Sequence, residues 1–190
     1  MKVYTIIAGV NGVGKSSLTG VLARDKSDLG MIIDTDSITR QQGGSKLGGA
    51  KEAIRRIESC LENGVNFTQE TTLSGSRTLK TVQEARARDY RINLYYVAVN
   101  SAEESLDRIA NRVRKGGHDI PEEDVRRRYK NRFRDLMKVL PYCDTAQFYD
   151  NENGFQFVAE FRNGELLQVG SYCPEWLSHL MEALRKNDLS

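Results

Sequence analysis

The chain of 190 residues has three cysteines, Cys60, Cys143 and Cys173, too few and too scattered for a disulfide framework, with no C-x-x-C pair to suggest a zinc site. That usage fits a reducing cytoplasm. No apolar run approaches the roughly 18 residues that a membrane helix needs. The apolar start MKVYTIIAG runs straight into glycines and a lysine with no small-residue cleavage site, so it reads as a strand and not as a signal peptide. Charge of one sign is missing as well. With 28 basic and 26 acidic residues the net charge is +2, which gives the whole molecule no strong pull toward nucleic acid or an anionic membrane. Any anion binding must be local. Internal repeats and low-complexity linkers are absent, and the length suits one domain over residues 1–190 around one core.

What is present is an alternation of apolar runs and helical stripes. Val3 to Ala8 is continuous, rich in β-branched residues and ends at Gly9, as expected of a strand buried on both faces of a parallel sheet. Leu18, Val21 and Leu22 recur at helical spacing between Lys15 and about Arg24, and MIID (31–34) reads as a second strand. Lys51 to Leu61 gives another helix, stopped at Asn63-Gly64, and Val65 to Gln69 a third strand. A helix over 77–89 leads to the strand INLYYVAV (92–99). Ser101 is the expected N-cap of a helix to Arg114, a further helix starts near Pro121, and QFYD (147–150) reads as a last parallel strand. The Asn163-Gly164 turn signal predicts a closing β-hairpin within 155–170, followed by a helix over 174–186. The predicted class is α/β, a parallel sheet with helices on both faces.

Gly9 to Ser16 reads GVNGVGKS, a match to G-x-x-x-x-G-K-[ST] set between a predicted strand and a predicted helix. Such a loop turns successive backbone N–H groups and a helix N-terminus toward phosphate oxygens, while its lysine reaches the β and γ groups. Gly9, Asn11, Gly12, Val13, Gly14, Lys15, Ser16 and Ser17 are therefore the expected nucleotide-binding residues, with Ser16 as a magnesium ligand; ATP and Mg²⁺ are the implied cofactors. The fold class narrows to a P-loop NTPase of the nucleotide-kinase type. An N-K-x-D sequence for guanine is absent, as is an apolar run of four ending in Asp-Glu, and both absences favour a small kinase.

A kinase needs a carboxylate near the γ-phosphate to orient and deprotonate a hydroxyl. Asp34 and Asp36 stand at the C-terminal edge of the second predicted strand, the edge that borders the ligand crevice in an open parallel sheet. Asp34 could instead cap the strand end, or Asp36 a following helix. Glu70, Thr71 and Thr72, with Ser74 and Ser76 behind them, follow the third strand and suit contact with a polyhydroxylated acceptor.

The segment KGGHDIPEEDVRRRY (115–129) supplies a glycine pair expected to act as a hinge, a well-started helix and three consecutive arginines, Arg126 to Arg128. With Arg108 and Arg112 one turn apart before it, the stretch of about 105–135 reads as an arginine-rich lid that delivers a guanidinium to the phosphates on closure. His118, a lone loop histidine, is expected to be structural.

Four segments, IIAGVNGVGKSS, QETTLSG, RVRKGGHDIPEEDVRRRY and FYDNENG, give the chain a resemblance to the zeta-toxin family of P-loop kinases, particularly its stand-alone bacterial branch. The resemblance implies a phosphotransferase that uses ATP to phosphorylate a hydroxyl of UDP-N-acetylglucosamine or another nucleotide sugar, and an antitoxin protein as a possible partner. It carries the phosphate-loop lysine to Lys15, the metal-binding hydroxyl to Ser16, the catalytic base to Asp36 and the acidic acceptor-site residue to Glu70. The family's lid arginines fall best on Arg112 and Arg127, across a GGH-x-IP form that its best-known members lack. Two alternatives share the phosphate loop: a polynucleotide or tRNA kinase, and a nucleotide-dependent switch module without an acceptor. The near-neutral charge and the lack of aromatics in the arginine block weigh against nucleic acid.

Overall fold

The computed structural model describes residues 1–25, 28–43, 45–162 and 164–187. Strand β1 (Val3–Ala8) is buried along its whole length, as its unbroken apolar sequence requires. It lies between β3 (Phe67–Thr71) and β4 (Arg91–Ala98), parallel to both, and β2 (Met31–Asp34) pairs parallel with β3. Strand β5 (Thr145–Asp150) continues the parallel set beside β4, and the antiparallel pair β6 (Gln156–Arg162) and β7 (Glu165–Gln168) extends it to seven strands in the order β2-β3-β1-β4-β5-β6-β7. The chain is thus α/β, as expected. The hairpin forms where its turn signal lies, although Asn163 itself is outside the described residues.

Alternation along β1 sends Tyr4, Ile6 and Ala8 to one face and Ile7 to the other. The first face carries the larger core, closed by α3 (Lys46–Asn63), α4 (Arg77–Ala87), α6 (Glu122–Val139) and α7 (Glu175–Asn187). The second is closed mainly by α1 (Lys15–Asp25) through Leu18 and Leu22. A third, small cluster of Ile109, Ile120 and Val125 packs α5 (Ala102–Arg114) on α6 and the segment between them.

Three local outcomes differ from the sequence reading. A helix of seven residues, α2 (Thr35–Gln41), follows β2 directly, and α3 begins at Lys46 although two glycines weaken its first turn. Packing overrides propensity there, because a Cβ on Gly49 would come within 2.0 Å of Thr39 Oγ1, and Ser45 caps the new start by accepting from Gly48 N at 3.1 Å. The Gly116-Gly117 pair, expected as a hinge, closes α5. Gly116 takes φ +82°, its N–H donates to Val113 O at 2.9 Å, and Gly117 N–H donates to Arg112 O at 2.9 Å, a Schellman arrangement that ties the segment to the helix end.

For function the register matters most. Asp34 pairs with Glu70 and Ile7 pairs with Glu70, so β2, β3 and β1 end at one level, on the edge from which the phosphate loop departs.

Candidate active site

β1 ends at Ala8 and the loop then turns into α1 at Lys15. Gly12 has φ +83° and a Cβ there would lie 2.5 Å from the Ser105 carbonyl, so backbone conformation and crowding both exclude a side chain. The Val13 side chain is fully buried in the second core, and its carbonyl accepts from Asn151 Nδ2 at 2.8 Å. Asn151 is itself held by its N–H to Ala98 O at 3.0 Å. Behind it, buried Asp150 accepts from Trp176 Nε1 at 2.7 Å and from Glu152 N at 3.1 Å, so that α7 braces the loop that braces the phosphate loop.

The Lys15 ammonium donates to Gly9 O and Val10 O, each at 3.0 Å. Burial lowers its pKa, while Glu70, then Asp36 and Asp34, pull it back up and Arg112 pushes it down. All four of these side chains line one cleft with Lys15. Ser16 Oγ donates to Glu70 Oε2 at 2.8 Å and Thr19 Oγ1 donates to Glu70 Oε1 at 2.6 Å. Burial raises the Glu70 pKa above its ordinary value, opposed by those two hydroxyls and then reinforced by Asp34. Glu70 was expected at the acceptor, yet both of its oxygens are engaged by the first helical turn and a half after the phosphate loop.

Asp34 and Asp36 separate cleanly. Asp34 caps α2, accepting from Asp36 N at 3.0 Å, whereas the Asp36 carboxylate accepts no hydrogen bond among the described residues and stands exposed in the cleft. That cleft, of about 580 Å³, is also lined by Asn11, Gly12, Gly14, Lys15, Ser16 and Ser17, while Gly9 and Val13 stand behind it. Thr71 and Thr72 reach it too. Thr71 Oγ1 is occupied by Leu73 N and Thr78 Oγ1, both at 3.0 Å, which holds Leu73 at φ +60°, and Thr72 Oγ1 pairs with Ser74 Oγ at 2.8 Å.

Across the cleft stand the arginines of α5 and α6. Arg112 Nη2 donates to His118 O at 2.7 Å, and Arg128 Nη1 donates to Asn11 Oδ1 at 2.6 Å. The Nε of each is buried without a partner among the described residues. Arg108 donates to Glu104 and to the Asn151 and Glu152 carbonyls. Arg127, expected as a cleft residue, lies outside it: its guanidinium pairs with Asp124 and its side chain is 61% exposed. Helical phase is the reason. Buried Val125 fixes the inward direction of α6, from which Arg127 is turned by about 200° and Arg128 by only about 60°.

The Zeta toxin family model matches residues 51–155, more than half of the chain. The chain belongs to the zeta-toxin family. The match includes Glu70, Arg112 and the three lid arginines and starts after the phosphate loop and Asp36. An uncharacterized protein of Haemophilus influenzae is 30% identical over 126 residues, 64% of this chain and 88% of that one. Among solved structures, one from the PezAT chromosomal toxin-antitoxin system of Streptococcus pneumoniae covers 100% of this zeta-toxin-family chain and 87% of its own, with a TM-score of 0.65 at 17% identity. The AvrRxo1-ORF1:-ORF2 structure with ATP gives a TM-score of 0.63 at 17% identity, over 97% of this chain and 63% of that one. At such identities the likeness is one of fold.

Sequence reasoning about this zeta-toxin-family member missed Asn151 as a brace and Arg128 as the one of the three consecutive arginines that lines the cleft. FYDNENG was conspicuous, but nothing in it tells that its first asparagine meets a carbonyl 138 residues earlier.

Proposed function

We propose that this chain is an ATP-dependent kinase that transfers the γ-phosphoryl group to a hydroxyl of a small metabolite, with a nucleotide sugar such as UDP-N-acetylglucosamine as the first acceptor to test. The observation that carries this reading is the Asp36 carboxylate, which has no hydrogen bond among the described residues and shares a cleft with Lys15 and the Ser16–Glu70 pair. A module that only binds nucleotide has no need of a bare carboxylate there.

The residues present fit the implied cofactors. A glycine-lined cradle, an ammonium resting on exchangeable loop carbonyls and two buried guanidinium Nε donors without partners suit a polyphosphate. The Ser16 hydroxyl, with Glu70 behind it, would hold Mg²⁺, which favours one or two protein oxygens alongside phosphates and water. Bound there, the ion would supply neutralisation of phosphate charge. Asp36 orients the acceptor hydroxyl and takes its proton as the new O–P bond forms and the bond to ADP breaks. Lys15, Arg112 and Arg128 spread positive charge over the phosphoryl oxygens, and the lid of about 105–135 keeps water from competing. The chain is proposed to act in the cytoplasm, and no described helix is long and apolar enough to cross a membrane. PezAT is a toxin-antitoxin system, which supports a search for an antitoxin partner of this chain.

Incubation with γ-labelled ATP, Mg²⁺ and a panel of nucleotide sugars, nucleosides and antibiotics should transfer label to one of them. Slow hydrolysis indifferent to every acceptor would instead favour a switch. In the same assay Arg128→Ala is expected to lower transfer about 100-fold, whereas Arg127→Ala should stay within about twofold of the native chain because its partner Asp124 is a surface neighbour.

Glu70→Gln separates activity from stability. Burial raises the Glu70 pKa, so its contribution to stability is complete below the ordinary value of 4.5 and declines as pH rises through the folded value. The variant lacks that decline. Its unfolding temperature relative to the native chain is therefore expected to rise between about pH 4 and pH 7, while its transfer rate falls. A pH-independent difference in unfolding temperature would refute the buried-charge account.

A further inference from the structure

A second cavity, of about 240 Å³, adjoins the cleft and shares Asn11, Thr35, Asp36, Arg40 and Arg128 with it. The phosphate-loop residues Gly12, Gly14, Lys15, Ser16 and Ser17 line only the first; Thr39 of α2 and His118 to Pro121 of the lid line only the second. Asp36 thus stands on the shared wall, facing the phosphate-loop cleft on one side and the smaller cavity on the other. A base in that position can reach a hydroxyl presented from the second cavity.

The walls of this space say what it takes. Arg40 carries a guanidinium with no hydrogen bond or ion pair among the described residues, and the His118 imidazole likewise has none. Asp119 spends one oxygen on Ile120 N at 2.8 Å and has the other to offer a hydroxyl. Asp124 pairs with Arg127, and Arg128, bonded to Asn11, is assigned to the phosphates, which leaves Arg40 as the cation for an acceptor. Ile120 and Pro121 add an apolar patch. The roof is built and not loose: Arg112 Nη2 holds the His118 carbonyl at 2.7 Å, and Ile120 is packed in the small cluster with Ile109 and Val125. A cavity below the usual range of about 300–1,000 Å³ for a whole ligand takes one ring-sized portion of it.

We propose that this second cavity is the acceptor seat, that Arg40 holds a negatively charged substituent of the acceptor, and that the His118–Pro121 segment, pinned by Arg112, closes over a hydroxylated ring. The proposal rests on the kinase reading and adds to it the residues that select the acceptor. Because Arg112 also lines the triphosphate cleft, its hold on the roof links the two sites.

The chain has two histidines, and His179 lies on α7 near Glu175, so ring signals of a histidine-labelled protein report on the cavity with an internal control. Glucose 1-phosphate is titrated into the protein loaded with a nonhydrolysable ATP analogue and Mg²⁺, followed by NMR. The His118 signals are expected to move to saturation while those of His179 stay, and uncharged glucose should bind more weakly. Arg40→Ala should weaken the titration about tenfold, with Arg114→Ala, a charge removed elsewhere on the lid, leaving it unchanged. Still His118 signals, equal binding by glucose, or an unaltered titration in Arg40→Ala would overturn the proposal. Failure of the analogue itself to bind would sink the kinase reading instead, and the titration without nucleotide then reads the cavity alone.

Discussion

Asp36→Asn is expected to lower phosphoryl transfer by about 10² to 10⁴ while leaving the affinity for a nonhydrolysable ATP analogue unchanged. Asparagine keeps the size of the side chain and can still meet an acceptor hydroxyl, but it cannot take the proton. Because the Asp36 carboxylate is exposed and supports no fold contact among the described residues, the unfolding temperature should hardly move. The neighbouring acid supplies the contrast. Asp34 caps α2, asparagine caps as well as aspartate, and Asp34→Asn should keep most of its activity. Single-turnover transfer measured on both variants decides the matter. Retention of most turnover by Asp36→Asn would remove the base from the mechanism.

Trp176→Ala is expected to cost about 3–5 kcal/mol, the usual range for deleting a buried large aromatic, and hence to lower the unfolding midpoint by on the order of 10 °C. Trp176 is fully buried, and its loss would strand one oxygen of an Asp150 carboxylate that is itself only 2% exposed. The damage should not stop at stability. Asp150 also fixes Glu152 N, and the adjoining Asn151 holds the Val13 carbonyl, so a loosened Asp150 frees the back of the phosphate loop and KM for ATP should rise. Trp176→Phe, which keeps most of the ring volume without the Nε1 donor, should fall between the two. Circular dichroism is the appropriate monitor because the chain has one tryptophan. An alanine variant that melts within a degree or two of the native chain would show that the clasp is incidental.

What could be read in advance follows from the range of the interactions. The apolar run Val3–Ala8, the GVNGVGKS loop and the Ser101 cap are local signals, and each element appears where its residues predict it. Helix α2 was not legible because seven residues are too few for a periodic stripe, and α3 began early because contact with Thr39 outweighs glycine's poor helix propensity. The choice between Arg127 and Arg128 needed the phase set by Val125, which a row of three arginines hides. Glu70 was found as a cleft residue, but its neighbours were not, since the hydroxyls that engage it lie 54 and 51 residues away in sequence.

The clasp between Trp176 and Asp150 ties α7 to the segment whose next residue, Asn151, holds the first loop of the chain. Synthesis runs from the N-terminus, so a ribosome carrying this chain has built the entire triphosphate cradle long before it reaches residue 176. Until then the cradle lacks its rear support, and nascent protein should hold nucleotide weakly even with every ligand-contacting residue already made.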